Sequence, residues 1–181
     1  MRFTPTAILD VIIIQPNIFA DERGFSLESY QKKLFSEAGI PFDFAQDNHS
    51  KSLQGVLRGL HYQIQQPQGK LVRAISGEIF DVAVDIRKNS PTFGKWVGDY
   101  LSAENKKILW VPPGFAHGFY VTSPEAEALY KVTDYYAPNW ERTIAWNDPS
   151  INIDWPIEGT TPILSPKDLG GKLLGDAELF E

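Results

Sequence analysis

Three histidines, His49, His61 and His117, are the only side chains of this 181-residue chain that ordinarily titrate near neutrality, and cysteine is absent. That absence excludes thiolate nucleophiles, thiolate zinc sites and disulfide staples, and it fits a reducing compartment, the cytoplasm by default. A lone histidine in a structured segment is more often a hydrogen-bonded core residue than a catalyst, so no one of the three decides anything singly. Other candidate proton carriers are equally ambiguous in isolation. Asp168 stands three residues after Ser165 with Pro166 between them, the pattern of a helix N-cap followed by a first-turn acid. Tyr130 reads as a strand tyrosine, Lys70 as a lysine at a strand start, and Glu141 and Lys167 as surface charges.

The spacing around the second and third histidines says more. Gly55 to His61 follows G-x5-H, and Pro112, Gly114 and His117 follow P-x-G-x2-H. The pair resembles the two motifs of the cupin superfamily, which place both imidazoles inside one barrel. The first cupin motif continues H-x-H with a later glutamate to hold a metal, whereas Gln63 occupies the second histidine's place here. Two imidazoles and an amide fall short of the three or four N/O ligands that a transition metal usually takes, so no metal is expected. An imidazole free of metal can take or give a proton near pH 7, which makes His61 the leading general base.

Holding two imidazoles in one cavity requires a framework of strands, and the chain supplies one. Runs of β-branched and aromatic residues recur at 11–14, 25–30, 55–62, 70–76, 78–85, 94–101, 107–111, 116–122 and 128–133, punctuated by Gly, Pro, Asn and Asp. Nine strands suit an all-β double-sheet jelly roll, and 78–85 alternates at period two as a half-buried strand does. Helices are expected only over 29–38, stopped by Gly39 and Pro41, and in a short piece beginning at Ser165. The segment 137–162 holds three of the five tryptophans and reads as an ordered loop because tryptophan is costly to leave wet.

With 43% hydrophobic and 22% charged residues, the chain has an ordinary globular composition, and 1–181 is expected to form one domain. A net charge of −6 without a basic run argues against nucleic-acid binding. The apolar stretch 8–14, broken by Asp10, is far too short to span a bilayer, and no signal peptide or anchor is visible. No G-x-G-x-x-G fingerprint points to a dinucleotide.

Longer strings narrow the reading. Asn48-His49-Ser50-x-Ser52-x2-Gly55-Val56-Leu57-Arg58-Gly59-Leu60-His61-Tyr62-Gln63, then Lys70-Leu71-Val72-Arg73, then Tyr130-Lys131-Val132-Thr133-x-Tyr135-Tyr136-x-Pro138-x2-Glu141 and Trp146-Asn147-Asp148-Pro149 resemble the dTDP-4-dehydrorhamnose 3,5-epimerases. The likeness runs over nearly the whole chain. It implies a cupin-type jelly roll, an antiparallel β-sandwich with a few short helices, forming a homodimer. The implied reaction inverts C3 and C5 of a dTDP-4-keto-6-deoxyhexose without a cofactor.

On that resemblance His61 is the base, Asp168 its carboxylate partner, Tyr130 the acid on the opposite face, and Lys70 the cation beside the C4 oxygen. Arg58 and Arg23 match the arginines that bind the diphosphate, and Glu28, Gln46 and Asn48 match polar residues that read the nucleotide. Tyr136 matches an aromatic that stacks on thymine, while Phe25, His117, Glu141 and Lys167 complete the pocket. The segment with Arg23 and Phe25 is expected to reach across the dimer, so the site is shared. The alternatives are a monoepimerase, a 3,4-ketoisomerase of the same sugars, or a noncatalytic nucleotide-sugar-binding jelly roll.

Overall fold

Period-two alternation is the rule that folds this chain. A computed structural model describes residues 1–157, 159 and 161–181. Its strands are β1 (Arg2–Pro5), β2 (Ile12–Gln15), β3 (Ile18–Asp21), β4 (Gly24–Leu27), β5 (Gln46–Leu53), β6 (Leu57–Gln63), β7 (Lys70–Ser76), β8 (Glu78–Asp85), β9 (Trp96–Ser102), β10 (Ile108–Val111), β11 (Phe115–Val121), β12 (Glu125–Val132) and β13 (Glu141–Thr143). Two short helices, α1 (Lys32–Glu37) and α2 (Pro166–Leu169), complete the regular structure with two 3-10 turns. A six-stranded sheet in the order β1-β2-β10-β7-β12-β5 faces a five-stranded sheet in the order β13-β6-β11-β8-β9, and every named strand pair is antiparallel. This is the expected jelly-roll sandwich.

The core lies between the sheets. Val72, Ala74, Leu109, Val111 and Ala128 from the larger sheet meet Ile79, Ala83, Leu101, Phe119 and Val121 from the smaller one, and all are buried. Each outer face carries a second apolar layer. Phe35 of α1 and Ile40 cover Ile14, Leu71 and Trp110 of the larger sheet, while Ile144, Ile151, Trp155 and Leu174 cover Leu57, Val82 and Tyr120 of the smaller. The tryptophan-rich segment is thus ordered as expected where it is described, with the indole Nε1 of Trp155 donating to the Trp146 carbonyl at 2.8 Å.

All nine expected strands are present, 70–76 and 78–85 at the expected bounds and the other seven with shifted ends, but four observed ones, β1, β3, β5 and β13, lack the apolar alternation by which strands are recognised. Strand β5 reads Gln-Asp-Asn-His-Ser-Lys-Ser-Leu and has no apolar face because its inner side lines a polar cleft. The expected strand 25–30 ends at Leu27, and the expected helix 29–38 contracts to Lys32–Glu37. Gln31 sets that boundary, accepting from the Leu34 amide at 2.7 Å as an N-cap, while Tyr30 packs edge-on against Phe35 and Phe44.

Strand β8 ends in a carboxylate that organises the following turn. Asp85 is fully buried and accepts from Arg87 Nε at 2.9 Å, Arg87 Nη2 at 2.7 Å, Ser90 Oγ at 2.5 Å and Thr92 Oγ1 at 2.6 Å. Burial raises its pKa, but those hydrogen bonds outweigh burial and pull it down to about 2. A folded pKa below the unfolded value of about 4 stabilises the fold at higher pH and ceases to do so as pH falls toward about 2. Asp85→Asn is expected to lower unfolding stability by roughly 1–3 kcal/mol at pH 7, with the deficit shrinking toward pH 2–3, as read by urea denaturation across pH.

Candidate active site

The mouth of the sandwich is where inward-facing positions turn from apolar to polar. On the larger sheet, Lys70 continues the inward row of Val72 and Ala74, and Tyr130 that of Ala126 and Ala128. Strand register sets Tyr130 opposite Asn48 on β5 and opposite Val72 on β7. On the smaller sheet, His117 pairs in register with His61. Asn48, His61, Lys70, His117 and Tyr130 line one cleft of about 310 Å3 with Gln46, Arg58, Tyr136, Glu141 and Lys167.

Arg58 and His61 lie three residues apart on β6, and an ideal strand would send them to opposite faces. An irregularity in the β6–β11 pairing resolves the conflict: His117 pairs with His61, but Phe119 pairs with Arg58. Gly59 sits in this bulge with φ +131°, and a Cβ there would stand 2.6 Å from the Gly118 Cα. Only glycine fits, and the shifted parity lets both side chains reach the cleft.

His61 Nε2 donates to Asp168 Oδ1 at 2.7 Å, leaving the neutral ring's lone pair on Nδ1. Asp168 is 3% exposed and also accepts from the Gly59 amide at 3.0 Å and from Ser165 Oγ at 2.5 Å. Ser165 Oγ in turn accepts from the Asp168 amide, so the carboxylate closes a capping box on α2 and pairs with His61 at once. Both meanings that the sequence allows for Asp168 are therefore realised by one side chain. Burial raises its carboxyl pKa, but the His61, Ser165 and Gly59 hydrogen bonds prevail and hold it well below the usual carboxylate range. For His61, burial is the largest influence and lowers the pKa; the Asp168 hydrogen bond opposes it, while Lys167 and Lys70 lower it further.

Lys70 is 9% exposed and donates from Nζ to the His61 carbonyl at 3.3 Å. Burial brings its pKa down to about 8 against the opposing pull of Asp81 and Glu141. Tyr130 is shifted up, chiefly by burial, with Arg58 opposing. Arg58 is braced by Ser52 Oγ, which accepts from Nε at 2.9 Å. Glu141 accepts from the Tyr136 hydroxyl and from Lys167 Nζ, each at 2.9 Å, so the three form one cluster at the rim.

A second imidazole–carboxylate pair is not evident from the sequence. His117 Nε2 donates to Asp81 Oδ1 at 2.8 Å, and Asp81 is wholly buried with its Oδ2 lacking a protein partner. The only hint was an acid at an inward position of β8, between Ile79 and Ala83. Ser50, Gln68 and Phe119 also line the cleft without having been singled out.

Arg23, Phe25 and Glu28 are not brought to this cleft. Strands β3 and β4 pair with each other alone, and their hairpin is exposed over Ile18–Asp21 and at Gly24, Phe25 and Ser26. Arg23 is bound to Asp21, Phe25 lies under Lys106 Nζ at 4.0 Å, and Glu28 is exposed. His49 faces away from the cleft and pairs with Glu127 at 2.8 Å across β5 and β12. Among the described residues no group of three or more His, Cys, Asp or Glu side chains is arranged to hold a metal ion, and no helix is long and apolar enough to cross a membrane.

Comparison with known proteins bears on this geometry. The family model described as dTDP-4-dehydrorhamnose 3,5-epimerase matches residues 5–176. A Pseudomonas aeruginosa protein named dTDP-4-dehydrorhamnose 3,5-epimerase is 60% identical over 181 residues, covering 99% of each chain. The crystal structure of a dTDP-6-deoxy-D-glucose-3,5-epimerase from Legionella pneumophila, in complex with dTDP-4-keto-L-rhamnose, superposes with a TM-score of 0.95 at 55% identity, over 98% of this chain and 94% of that one. A 3'-monoepimerase from Streptomyces bikiniensis, in complex with dTDP-quinovose, is more distant at 33% identity and TM-score 0.88, covering 94% of this chain and 87% of its own.

The opposing influences on His61 give the Asp168 contact a measurable sign. Because Asp168 raises the imidazole pKa against burial, Asp168→Asn is expected to move the His61 titration further below 6.5 than in the unaltered protein. Histidine-selective NMR across pH reads the shift, and an upward movement would contradict the pairing.

Proposed function

The chain belongs to the dTDP-4-dehydrorhamnose 3,5-epimerase family of isomerases, and we propose that its cleft converts dTDP-4-dehydro-6-deoxy-D-glucose to dTDP-4-dehydro-L-rhamnose, a step of dTDP-rhamnose biosynthesis. The observation that carries the reading is that His61 and Tyr130 enter one cleft from opposite sheets. Inversion of a carbon needs a base on one face and an acid on the other, and two facing walls provide that arrangement without moving the sugar far.

The C3 and C5 hydrogens of the substrate both lie alpha to the C4 ketone. In the proposed reaction His61 Nδ1 takes one of these protons, and Asp168 stabilises the imidazolium that results. The electron pair of the broken C–H bond moves into an enolate whose oxygen is held by Lys70 in a site shielded from water. Tyr130, kept in its protonated form by its raised pKa, then gives its proton to the opposite face of the carbon. Exchange of protons with solvent returns both groups to their starting states, and repetition at the second carbon completes the conversion. This scheme uses no metal and no nicotinamide. The His117–Asp81 pair serves to orient the sugar or share the C4 oxygen.

The rest of the cleft suits a nucleoside diphosphate. Arg58 is assigned to the diphosphate, for which a braced guanidinium fork is well shaped. Gln46, Asn48 and Tyr136 are assigned to thymine, with Glu141 and Lys167 closing the rim. Arg23, Phe25 and Glu28 ride on a hairpin that packs on little of its own chain, and they are assigned to the cleft of a second copy in a homodimer. In this reading residues 1–181 work as one cytoplasmic domain whose partners are the sugar nucleotide and its own copy, with no nucleic acid or membrane involved.

Two experiments test these assignments. His61→Asn is expected to lower kcat by about 10^2–10^4-fold, whereas Tyr130→Phe retains proton exchange but loses inversion; equal loss of both in Tyr130→Phe would make the phenol a binding group. Arg23→Ala and His61→Asn proteins, each weak alone, should regain activity when unfolded and refolded together, because a mixed dimer then holds one intact site. No gain on mixing would place the hairpin's arginine outside the partner's cleft.

A further inference from the structure

Residues Asp134 to Ala137, which follow β12 after Thr133, carry Tyr136 to the rim yet take part in no strand or helix. Four of their backbone groups are satisfied by glutamine side chains. Gln68 Nε2 donates to the Asp134 carbonyl at 2.8 Å, and Gln63 Nε2 donates to the Tyr135 carbonyl at 3.2 Å. The Tyr136 amide donates to Gln46 Oε1 at 3.1 Å, and the Ala137 amide donates to Gln63 Oε1 at 2.9 Å.

Gln63 is the centre of this arrangement. It is 4% exposed, and its second Nε2 hydrogen reaches the Gln66 carbonyl at 2.7 Å. All of its donors and its acceptor oxygen are thereby engaged with backbone. The segment presents carbonyls at 134 and 135, then amides at 136 and 137. A carboxylate could serve only the amides and an ammonium only the carbonyls, but a carboxamide serves both.

We propose that Gln63, assisted by Gln68 and Gln46, is a positioning residue for nucleobase recognition: it fixes the segment 134–137 so that the Tyr136 ring stands ready over the nucleotide end of the cleft. The position that the cupin pattern gives to a metal ligand is used here to hold a binding loop. This rests on the assignment of Tyr136 to thymine. Because Gln63 does not line the cleft, its contribution acts on affinity for the nucleoside and leaves the proton-transfer groups in place.

The test is Gln63→Glu, nearly isosteric, with thymidine 5'-diphosphate and inorganic pyrophosphate as probes in calorimetry. At pH 8 the variant is expected to bind thymidine 5'-diphosphate about tenfold more weakly, consistent with the loss of buried hydrogen bonds, while pyrophosphate binding and kcat at saturating substrate stay within about twofold. Lowering pH protonates the new carboxyl, which then has one donor and one acceptor, so affinity for the nucleotide should recover toward pH 5.5 relative to the unaltered protein. In a Tyr136→Ala background the Gln63→Glu penalty should vanish. An equal penalty in both backgrounds, or an equal loss of pyrophosphate binding, overturns the positioning role. Undiminished nucleotide binding by Tyr136→Ala alone would instead overturn the thymine assignment on which it rests. If Gln63→Glu does not fold, Gln68→Ala is compared with and without Tyr136→Ala, because Gln68 itself lines the cleft: a smaller loss of nucleotide binding seen only when Tyr136 is present is expected, and an equal loss in both backgrounds, or none, contradicts the proposal.

Discussion

The carboxylate of Asp168 is almost wholly removed from water and stays charged because His61, Gly59 and Ser165 all donate to it. An unpaired carboxylate in that place would be costly, and each donor comes from a different structural level. Gly59 belongs to the bulge that turns Arg58 and His61 to the same side, Ser165 begins α2, and His61 is the group for which the proton chemistry is proposed. One ion therefore ties the irregularity of β6, the docking of the C-terminal helix and the tautomer of the imidazole together. Loss of any one donor weakens the other two attachments, because they share an anion whose burial they jointly make tolerable.

A sandwich with an apolar middle and a polar mouth follows from strand parity once that bulge exists. Lys70, Val72 and Ala74 on β7, and Tyr130 with Ala128 and Ala126 on β12, are continuous inward rows that change character toward one end of the barrel. The apolar part excludes water and lowers the Lys70 pKa to about 8 while raising that of Tyr130, so the two groups are held as a cation with a loosely held proton and as a neutral phenol. The same packing that stabilises the fold thus sets the protonation states on which the proposed isomerisation depends. At the rim, Glu141 accepts from both Lys167 and Tyr136.

Most of this was legible in the sequence where a residue's meaning is local or its motif long. Strands with apolar alternation, such as 70–76 and 78–85, are found at those very bounds, and His61, Lys70, His117 and Tyr130 do converge on one cleft. Strand β5 carries no hydropathy signal because its inner face lines the polar cleft. Asp81 is not legible as a site residue because its partner, His117, lies 36 residues away and the pairing depends on the register of β8 with β11. In the sequence Gln63 stands out only as a departure from the cupin metal-ligand position; its bonds to Tyr135 and Ala137 depend on where the later loop returns. Arg23, Phe25 and Glu28 lie on an exposed hairpin away from the cleft, a placement that their motif does not disclose.

The central claim is that one cleft moves protons at two carbons flanking a ketone. Its most direct measurement is proton NMR of dTDP-4-keto-6-deoxyglucose incubated with the protein in D2O without added metal or nicotinamide. Deuterium entering at both C3 and C5, with the L-configured product accumulating, is the predicted result. Exchange confined to C3 would contradict the double inversion, and no exchange at either carbon would contradict the catalytic reading of His61 and Tyr130 altogether.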